Sequence, residues 1–218
     1  MELSQQINII GAGLAGSEAA LQLAKRGFKV TIYDLKPNQR SEAHHRKEYA
    51  EIVCSNSLGN LQTSTASGLL KAEMEILDCE LLKIAKAKAV PAGNALAVDR
   101  EAFSDAVTEA LQKNPNITCI SQDITQIPNP NDITLIATGP LTSPGLSETL
   151  QTLLNQSHLY FFDAAAPIVT TESINMDIAF AQDRYNNSAE NTDELGHYIN
   201  CPLDEAQYKA LLEFILSA

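Results

Sequence analysis

The chain has 218 residues, of which 44% are hydrophobic, and a formal net charge of −12. This length accommodates one large domain, or one domain with part of a second. The acidic charge disfavours nonspecific attraction to a phosphate backbone, because nucleic-acid binders usually carry a basic surface. The sequence has no apolar run long enough to span a membrane and no basic N-terminal signal region. We therefore expect a cytoplasmic protein without membrane contact.

The first part of the chain has the pattern of a βαβ unit. Residues 7–10 are β-prone, residues 14–26 are alanine-rich and helical in character, and residues 28–33 form a second β-prone run that ends at Asp34. Strands joined through a helix in this way lie parallel, with a right-handed crossover. Residues 35–61 are polar and irregular, which predicts a long functional loop.

Two helices are predicted next. Apolar residues recur at helical spacing through residues 66–88, which predicts one long helix whose buried stripe contains Leu70, Met74, Leu77, Leu81 and Ile84. A second helix is predicted at residues 100–113, with Asp99 as its N-cap.

The rest of the chain alternates short strands and helices. We predict strands at residues 117–120, 124–127, 133–137 and 159–162, and a helix at residues 146–154. Residues 183–197 are polar and poor in apolar side chains, which indicates a flexible linker or an exposed loop. A last helix at residues 204–216 is expected to turn one face inward, namely Tyr208, Leu211, Leu212 and Ile215.

The segment from Gly11 to Gly16 has the glycine spacing of a dinucleotide-binding turn. In such a turn Gly11 permits a tight change of direction, Gly13 lets the backbone approach a pyrophosphate, and Gly16 lets the helix pack closely on the sheet. Asp34, 18 residues after Gly16, is placed to accept hydrogen bonds from a ribose. A strand, a glycine turn, a helix and this acid together predict dinucleotide binding.

The choice between FAD and NAD depends on the later strands. Hairpin-like strands that lead into Ile136-Ala137-Thr138-Gly139 match the arrangement in many flavoproteins with two dinucleotide-binding regions. This pattern favours FAD.

Four cysteines lack both the pairing of a zinc site and the density of a disulfide scaffold, so we expect reduced thiols. Cys54 lies among small polar residues that can stabilise a thiolate, and Cys201 precedes a predicted helix whose dipole lowers a thiol pKa. For both, a purely structural role is equally compatible with the spacing. Cys79 and Cys119 are interpreted as core residues because they fall in a predicted helix and strand.

His44 and His45 are adjacent in the polar loop. They are placed to contact a phosphate or a substrate oxygen, although paired histidines in such a loop are more often exposed to solvent. No carboxylate cluster accompanies them at metal-ligand spacing, so we expect no metal site.

Seven segments closely resemble the bacterial TrmFO (Gid) family, and the resemblance extends over nearly the whole chain. They are NIIGAGLAGSEAA (8–20), AHH (43–45), VCSNSL (53–58), ALAVDR (95–100), IATGPLTS (136–143), FDAAAPI (162–168) and YINCP (198–202).

The resemblance implies a methylenetetrahydrofolate–tRNA-(uracil-5-)-methyltransferase. Such an enzyme takes a one-carbon unit from 5,10-methylenetetrahydrofolate, reduces it with FAD and NAD(P)H, and makes 5-methyluridine in the T-loop of tRNA; rRNA is the alternative substrate. Cys54 and Cys201 match the family's two functional cysteines. Uracil C5 is a poor nucleophile until a thiolate adds at C6. We assign that addition to Cys201 and the handling of the flavin-bound one-carbon unit to Cys54, with the reverse assignment left open.

The fold that the resemblance implies is α/β, a Rossmann-like FAD-binding domain of the GR2 flavoprotein type with a parallel sheet, plus part of a second, inserted domain. We expect the FAD domain in residues 1–145, with a loop and helical excursion at 35–115, and the partial inserted or substrate domain in residues 146–218. The expected cofactor-binding residues are Gly11, Ala12, Gly13, Leu14, Ala15, Gly16, Asp34, Thr138 and Gly139.

Members of this family are considerably longer than the present chain. We therefore expect a truncated front half that is completed by a second polypeptide carrying the C-terminal half, or by homo-oligomerisation. Two alternatives are a non-catalytic fragment that binds FAD or NAD, and a flavin-dependent tRNA-modifying oxidoreductase of the GidA kind. The oxidoreductase would require neither Cys54 nor Cys201.

Overall fold

The computed structural model describes residues 6–41, 43–129, 131–155, 169–182 and 198–217. The chain forms two compact units, one of Met1–Val90 with Leu96–Ala166 and one of Pro91–Ala95 with Pro167–Ala218. The assignment of a cofactor domain and a substrate domain to residues 1–145 and 146–218 stays a prediction.

The elements of the chain alternate between strands and helices. In order they are β1 Gln6–Ile10, α1 Leu14–Lys25, β2 Lys29–Asp34, β3 Ser57–Asn60, α2 Ala66–Ile76, α3 Glu80–Ala87, β4 Ala89–Val90, β5 Ala95–Val98, α4 Arg100–Gln112, β6 Ile117–Ser121, β7 Ile133–Ile136, α5 Pro144–Leu154, β8 Phe180–Ala181, β9 Ile199–Asn200 and α6 Glu205–Ser217.

A four-stranded parallel sheet forms the centre of the first unit, with the strand order β6-β2-β1-β7. Neighbouring side chains of a strand point to opposite faces of a sheet. Accordingly Ile9 packs with Val107 and Leu111 of α4, whereas Ile10 packs with Leu146 and Leu150 of α5. The sheet therefore has a helix-covered core on each face, which confirms the predicted α/β Rossmann-like class.

The residues at the ends of α4 and α5 explain why these helices begin and end where they do. The carboxylate of Asp99 accepts hydrogen bonds from the backbone N–H groups of Glu101 and Ala102, both at 3.0 Å, so the predicted N-cap of α4 is confirmed. Helix α5 begins at Pro144, where a missing N–H costs nothing, and ends at Asn155 with a left-handed φ of 51°.

The prediction of one helix over residues 66–88 is wrong, because the chain breaks into α2 and α3. Asp78 at the break has a φ of 62°, which a continuous helix does not allow. The carboxylate of Glu18 accepts hydrogen bonds from the backbone N–H groups of Glu80 and Leu81 and so satisfies the first turn of α3. The predicted stripe is also divided: Leu81 is buried, whereas Leu70 and Leu77 are exposed.

Two predictions about the later strands are wrong as well. Residues 124–127 form no strand; Ile124 instead packs as a loop residue against α5. The strands that lead to residues 136–139 are not hairpin-like either. β6 pairs with β2 and β7 pairs with β1, each in parallel, so the two strands are separated by the rest of the sheet.

A second, three-stranded sheet with the order β3-β5-β4 was not predicted. β3 lies within the segment that was predicted to be irregular. All four residues of β5 are buried, so this strand lacks the alternation of apolar and polar residues that marks a half-exposed strand.

The second unit contains an antiparallel pair, β8 and β9, and helix α6. The prediction that α6 turns Tyr208, Leu211, Leu212 and Ile215 inward is wrong, because each of them is exposed. A helical period shows that side chains share a face, but it does not show what covers that face. The predicted strand at 159–162 and the predicted linker at 183–197 lie outside the described residues.

Candidate functional site

A cleft of about 320 Å³ opens where β1, β2 and β7 end. In this sheet β1 lies between β2 and β7, and the chain leaves β1 toward β2 through α1. Ligands of open α/β sheets bind at such a switch point, beyond the carboxyl ends of the strands. The cleft is lined by Gly11–Ala15 from the turn after β1, by Asp34 from β2 and by Ala137–Leu141 after β7.

The three glycines of the turn have different surroundings. Gly11 has a φ of 102°, and a Cβ atom there would lie 2.6 Å from the carbonyl oxygen of Ala137. A Cβ at Gly16 would lie 1.8 Å from the carbonyl oxygen of Gly11, so this glycine lets α1 pack directly on the turn. A Cβ at Gly13 would meet no atom within 4 Å. Gly13 thus leaves space in the cleft wall, whereas Gly11 and Gly16 serve the packing of the turn itself.

Helix α1 begins at this open position. Its N-cap is Gly13, and no side chain caps it. Leu14 and Ala15 of the first turn line the cleft. The first amides of a helix have no partner within the helix and carry its positive dipole end, which together favour a bound anion such as a phosphate.

Asp34 lies beside this helix start, in contact with the glycine turn. Its carboxylate accepts one hydrogen bond from the backbone N–H of Ala12, at 2.7 Å, and one from that of Lys36, at 2.9 Å. A carboxylate has about four acceptor positions, so two backbone donors leave room for the hydroxyls of a ribose. The two bonds also fix the orientation of the carboxylate relative to the glycine turn.

Thr138 and Gly139 follow β7 on the other side of β1. Gly139 has a φ of 65°, which glycine adopts without strain. The hydroxyls of Thr138 and Thr142 lie 2.6 Å apart. The Thr142 hydroxyl donates a hydrogen bond to the carbonyl oxygen of Gly139. This compact turn supplies the wall of the cleft opposite Asp34. All nine predicted cofactor residues thus belong to the cleft or to the turn that shapes it, and their role in binding stays a prediction.

Sequence reasoning missed a buried ion pair in the wall of the cleft. The ammonium of Lys36 lies 2.9 Å from the carboxylate of Glu51, and both side chains are less than 10% exposed. Lys36 also donates to the carbonyl oxygen of Glu48 at 2.8 Å. Burial alone would raise the pKa of Glu51, but hydrogen bonds from the backbone of His45 and from Lys36 outweigh it and lower that pKa. The pair ties the end of β2 to the loop that precedes Cys54.

His44 lines the cleft, whereas His45 is exposed. The Nδ1 atom of His44 lies 2.6 Å from the hydroxyl of Ser41. Burial, reinforced by the positive charge of Lys36, lowers the pKa of His44, so its neutral form is favoured. Arg40 and Ser41 also line the cleft. No sequence motif marked this segment beyond the histidine pair.

The two candidate catalytic cysteines are both exposed and belong to different units. Cys54 lies in the loop before β3, next to Val53 of the cleft wall. Cys201 lies in the second unit, and α6 begins only at Glu205, with Asp204 accepting a hydrogen bond from the backbone N–H of Gln207 at 2.8 Å. Cys201 thus precedes α6, as the sequence predicted, and its catalytic role stays a prediction.

Cys79 and Cys119 behave differently. Cys79 is buried at the start of α3 and Cys119 is half-buried in β6. Burial raises the pKa of both thiols, which keeps them protonated at neutral pH. Their interpretation as core residues is confirmed for Cys79, whereas Cys119 packs at the margin of the core.

Within the described ranges, no group of three or more histidine, cysteine, aspartate or glutamate residues is placed to hold a metal ion. In the same part of the chain, no helix is both long enough and apolar enough to cross a bilayer.

Comparison with known proteins gives close relatives. The chain is 50% identical over 212 residues to methylenetetrahydrofolate--tRNA-(uracil-5-)-methyltransferase TrmFO of Acetivibrio thermocellus. It is 46% identical over 214 residues to the protein of the same name in Bacillus subtilis. These matches cover 97% and 98% of the present chain but 47% of each relative. The chain thus spans about half the length of the curated relatives it matches.

A solved structure and a family model complete the comparison. The form II crystal structure of Aquifex aeolicus GidA superposes with a TM-score of 0.50 at 18% identity, covering 62% of this chain and 25% of that one. At this identity the likeness supports the fold alone. The family model described as glucose inhibited division protein A matches residues 6–218. Because that match includes nearly every residue, the chain belongs to the glucose inhibited division protein A family.

Proposed function

We propose that the cleft binds FAD. The observation that carries this proposal is the open position at Gly13, which lies at the uncapped start of α1 and close to the carboxylate of Asp34. The helix start would hold the pyrophosphate and Asp34 the adenosine ribose. When bound, FAD would supply redox chemistry that protein side chains lack.

The proposed activity is transfer of a one-carbon unit from methylenetetrahydrofolate to C5 of uridine in tRNA, with NAD(P)H as the reductant. It is supported by the relatives named for this reaction and by the two exposed cysteines, Cys54 and Cys201. In this proposal the Cys201 thiolate adds to C6 of uracil, which makes C5 nucleophilic, and Cys54 acts next to the cleft. The proposed tRNA substrate also favours a cytoplasmic location.

The charge of the chain limits how it takes part in this reaction. Binding of RNA depends on basic side chains that neutralise phosphates, but this chain has a net charge of −12. The net charge does not exclude a local basic patch, but it favours an RNA-binding surface that comes largely from a partner polypeptide. This favours a chain that contributes the cofactor cleft and Cys54 to a larger enzyme.

A flavin titration tests the cofactor proposal first. The purified chain is mixed with FAD, and binding is followed by the change in flavin absorbance and fluorescence. We expect one FAD per chain, and NAD to compete weakly. A folded chain that binds neither nucleotide would sink the proposal, whereas preferred binding of NAD would favour the dinucleotide-binding alternative.

Tritium release from 5-labelled uracil in T-loop RNA tests the methyl transfer, with folate, FAD and NADPH supplied. The chain is assayed together with the part of the Acetivibrio thermocellus relative that it does not match. Release should require both Cys54 and Cys201, so each Cys→Ala variant should lose it. The matched control, Cys119→Ala, should retain it. Redox activity that persists in the Cys54→Ala, Cys201→Ala double variant without tritium release would favour the oxidoreductase alternative.

A further inference from the structure

Helix α2 turns most of its large apolar side chains toward solvent. Its buried residues are Gly68 and Lys71. Most of its large apolar residues face solvent instead: Leu69 is 50% exposed, Leu70 55% and Ile76 85%, and Leu77 at the C-cap is 72% exposed. Met74 alone among them packs against the core. A surface helix ordinarily buries its apolar face, but this side of α2 stays exposed among the described residues of the first unit.

Contacts on the inner side fix this orientation. A Cβ at Gly68 would lie 1.9 Å from the carbonyl oxygen of Gln62, so the helix packs directly on that backbone. The buried ammonium of Lys71 donates to the carbonyl oxygens of Asn60 and Ser67, at 3.2 and 3.1 Å. The bond to Ser67 lies within the helix, whereas the bond to Asn60 ties the helix to β3. Rolling the helix to bury its leucines would break the bond to Asn60 and move the backbone contact at Gly68. The exposed apolar side is therefore a defined surface.

The four exposed residues Leu69, Leu70, Ile76 and Leu77 form what we call the leucine face of α2. Their spacing places them on one side of the helix, two turns apart, with the exposed Glu73 between the two pairs. Contiguous apolar patches of this kind on a protein surface mark interaction sites. The carboxylate of Glu73 at the centre requires a positively charged or hydrogen-bonding group on whatever covers the face.

We infer that the leucine face docks the polypeptide that corresponds to the unmatched half of the relatives, whether this polypeptide is linked to the chain or separate from it. The relatives match almost all of this chain but only 47% of their own length, so more than half of each relative is available to cover the face. The inference rests on the proposed function only in its choice of partner.

Charge argues against a second copy of this chain as the occupant. A symmetric dimer places the same patch on both sides of the interface. It would bring Glu73 toward its own counterpart and join two chains that each have a net charge of −12. Like charges at the centre of an interface disfavour association. A partner with the basic surface that RNA binding needs provides the opposite charge.

Co-expression tests the docking directly. The chain is produced with the unmatched part of the Acetivibrio thermocellus relative, and size-exclusion chromatography with light scattering measures the complex. We expect a complex of one chain with one partner. The double substitution Leu70→Gln, Ile76→Gln should weaken it by about tenfold or more, as loss of central apolar contacts does. The matched control is Leu153→Gln, which changes a leucine that is 65% exposed on α5, and it should bind as the unchanged chain does.

Thiol labelling provides a second measurement that does not depend on affinity. Leu70→Cys is placed in the 218-residue chain and in a single-chain fusion with the same partner sequence, and labelling by a maleimide is mapped by mass spectrometry. Labelling at residue 70 should be slower by about tenfold or more in the fusion, because a covered site reacts only when it opens. Leu153→Cys should react at the same rate in both proteins.

Three outcomes would overturn the inference: no complex and no protection, equal binding by the double variant, or a leucine-dependent dimer of the chain alone. These readouts are separate from flavin binding. If a leucine-dependent complex forms but FAD does not bind, the docking surface stands and the proposed function falls. If FAD binds but the complex does not depend on the leucines, the proposed function stands and the docking surface falls.

Discussion

Gly13 and Gly16 lie in the same turn, but substituting them should have opposite consequences. Gly16→Ala introduces a Cβ atom 1.8 Å from the carbonyl oxygen of Gly11, a separation at which the backbone must move. Overpacking of this kind costs about 1 to 3 kcal/mol. For a protein of this size that corresponds to a fall in Tm of roughly 2 to 12 °C.

Gly13→Ala should leave stability nearly unchanged. The new Cβ meets no atom within 4 Å, and φ at this position is −73°, which alanine adopts freely. Alanine is a poorer N-cap than glycine, with an expected cost of up to about 1 kcal/mol. Lower entropy of the unfolded chain offsets this by about 0.4 to 1 kcal/mol. The methyl group points into the space proposed for the pyrophosphate, so FAD affinity should fall by about tenfold or more, equivalent to about 1.4 kcal/mol.

Urea unfolding and flavin titration of the two variants separate these effects. Gly27→Ala serves as a control for strain alone, because Gly27 has a φ of 87° but no neighbour within 4 Å and lies outside the cleft. The reasoning is refuted if Gly16→Ala is as stable as the unchanged chain, or if Gly13→Ala binds FAD with undiminished affinity.

Three further predictions concern the surroundings of the cleft. Glu51→Gln should lower the free energy of unfolding by about 3 to 5 kcal/mol at pH 7, because it leaves the buried ammonium of Lys36 without a counter-charge. Folding lowers the pKa of Glu51 from 4.5, so its contribution to stability is present above pH 4.5 and is lost as the pH falls through the folded pKa. Urea unfolding should therefore show a smaller difference in stability between Glu51→Gln and the unchanged chain at pH 4 than at pH 7. Asp99→Ala should cost about 0.5 to 2 kcal/mol, and Asp99→Asn should restore most of it in the same assay. A thiol reagent should label Cys54 and Cys201 rapidly in the native protein and Cys79 only after denaturation; rapid labelling of Cys79 would contradict its burial.

The parts of the fold that were predicted correctly have local causes. The β1-α1-β2 unit follows from the glycine turn and from periodicity within a single segment. The N-cap at Asp99 depends on contacts with residues two and three positions away. Asp34 was recognised because it occupies a fixed place at the end of β2. Each of these signals can be read without knowing which distant segment lies nearby.

The missed features depend on contacts between distant residues. Helix α3 starts where it does because the side chain of Glu18, on α1, accepts two of its first backbone N–H groups. Lys36 and Glu51 are charged residues 15 positions apart, and only the folded loop brings them into a buried pair. The strand predicted at residues 124–127 has the composition of a strand, but Ile124 is used to pack against α5.

Helix α2 shows why hydrophobic periodicity alone is not sufficient to assign a buried face. Periodicity correctly identified a helix that begins at Ala66 and an apolar stripe that includes Leu70 and Leu77, but these leucines point away from the sheet. The helix is held on its other side by Gly68 and by the buried ammonium of Lys71. An apolar stripe predicts only that something covers it. If the proposed covering polypeptide also supplies the cations that RNA phosphates require, the same partner accounts for the exposed leucines and for the net charge of −12.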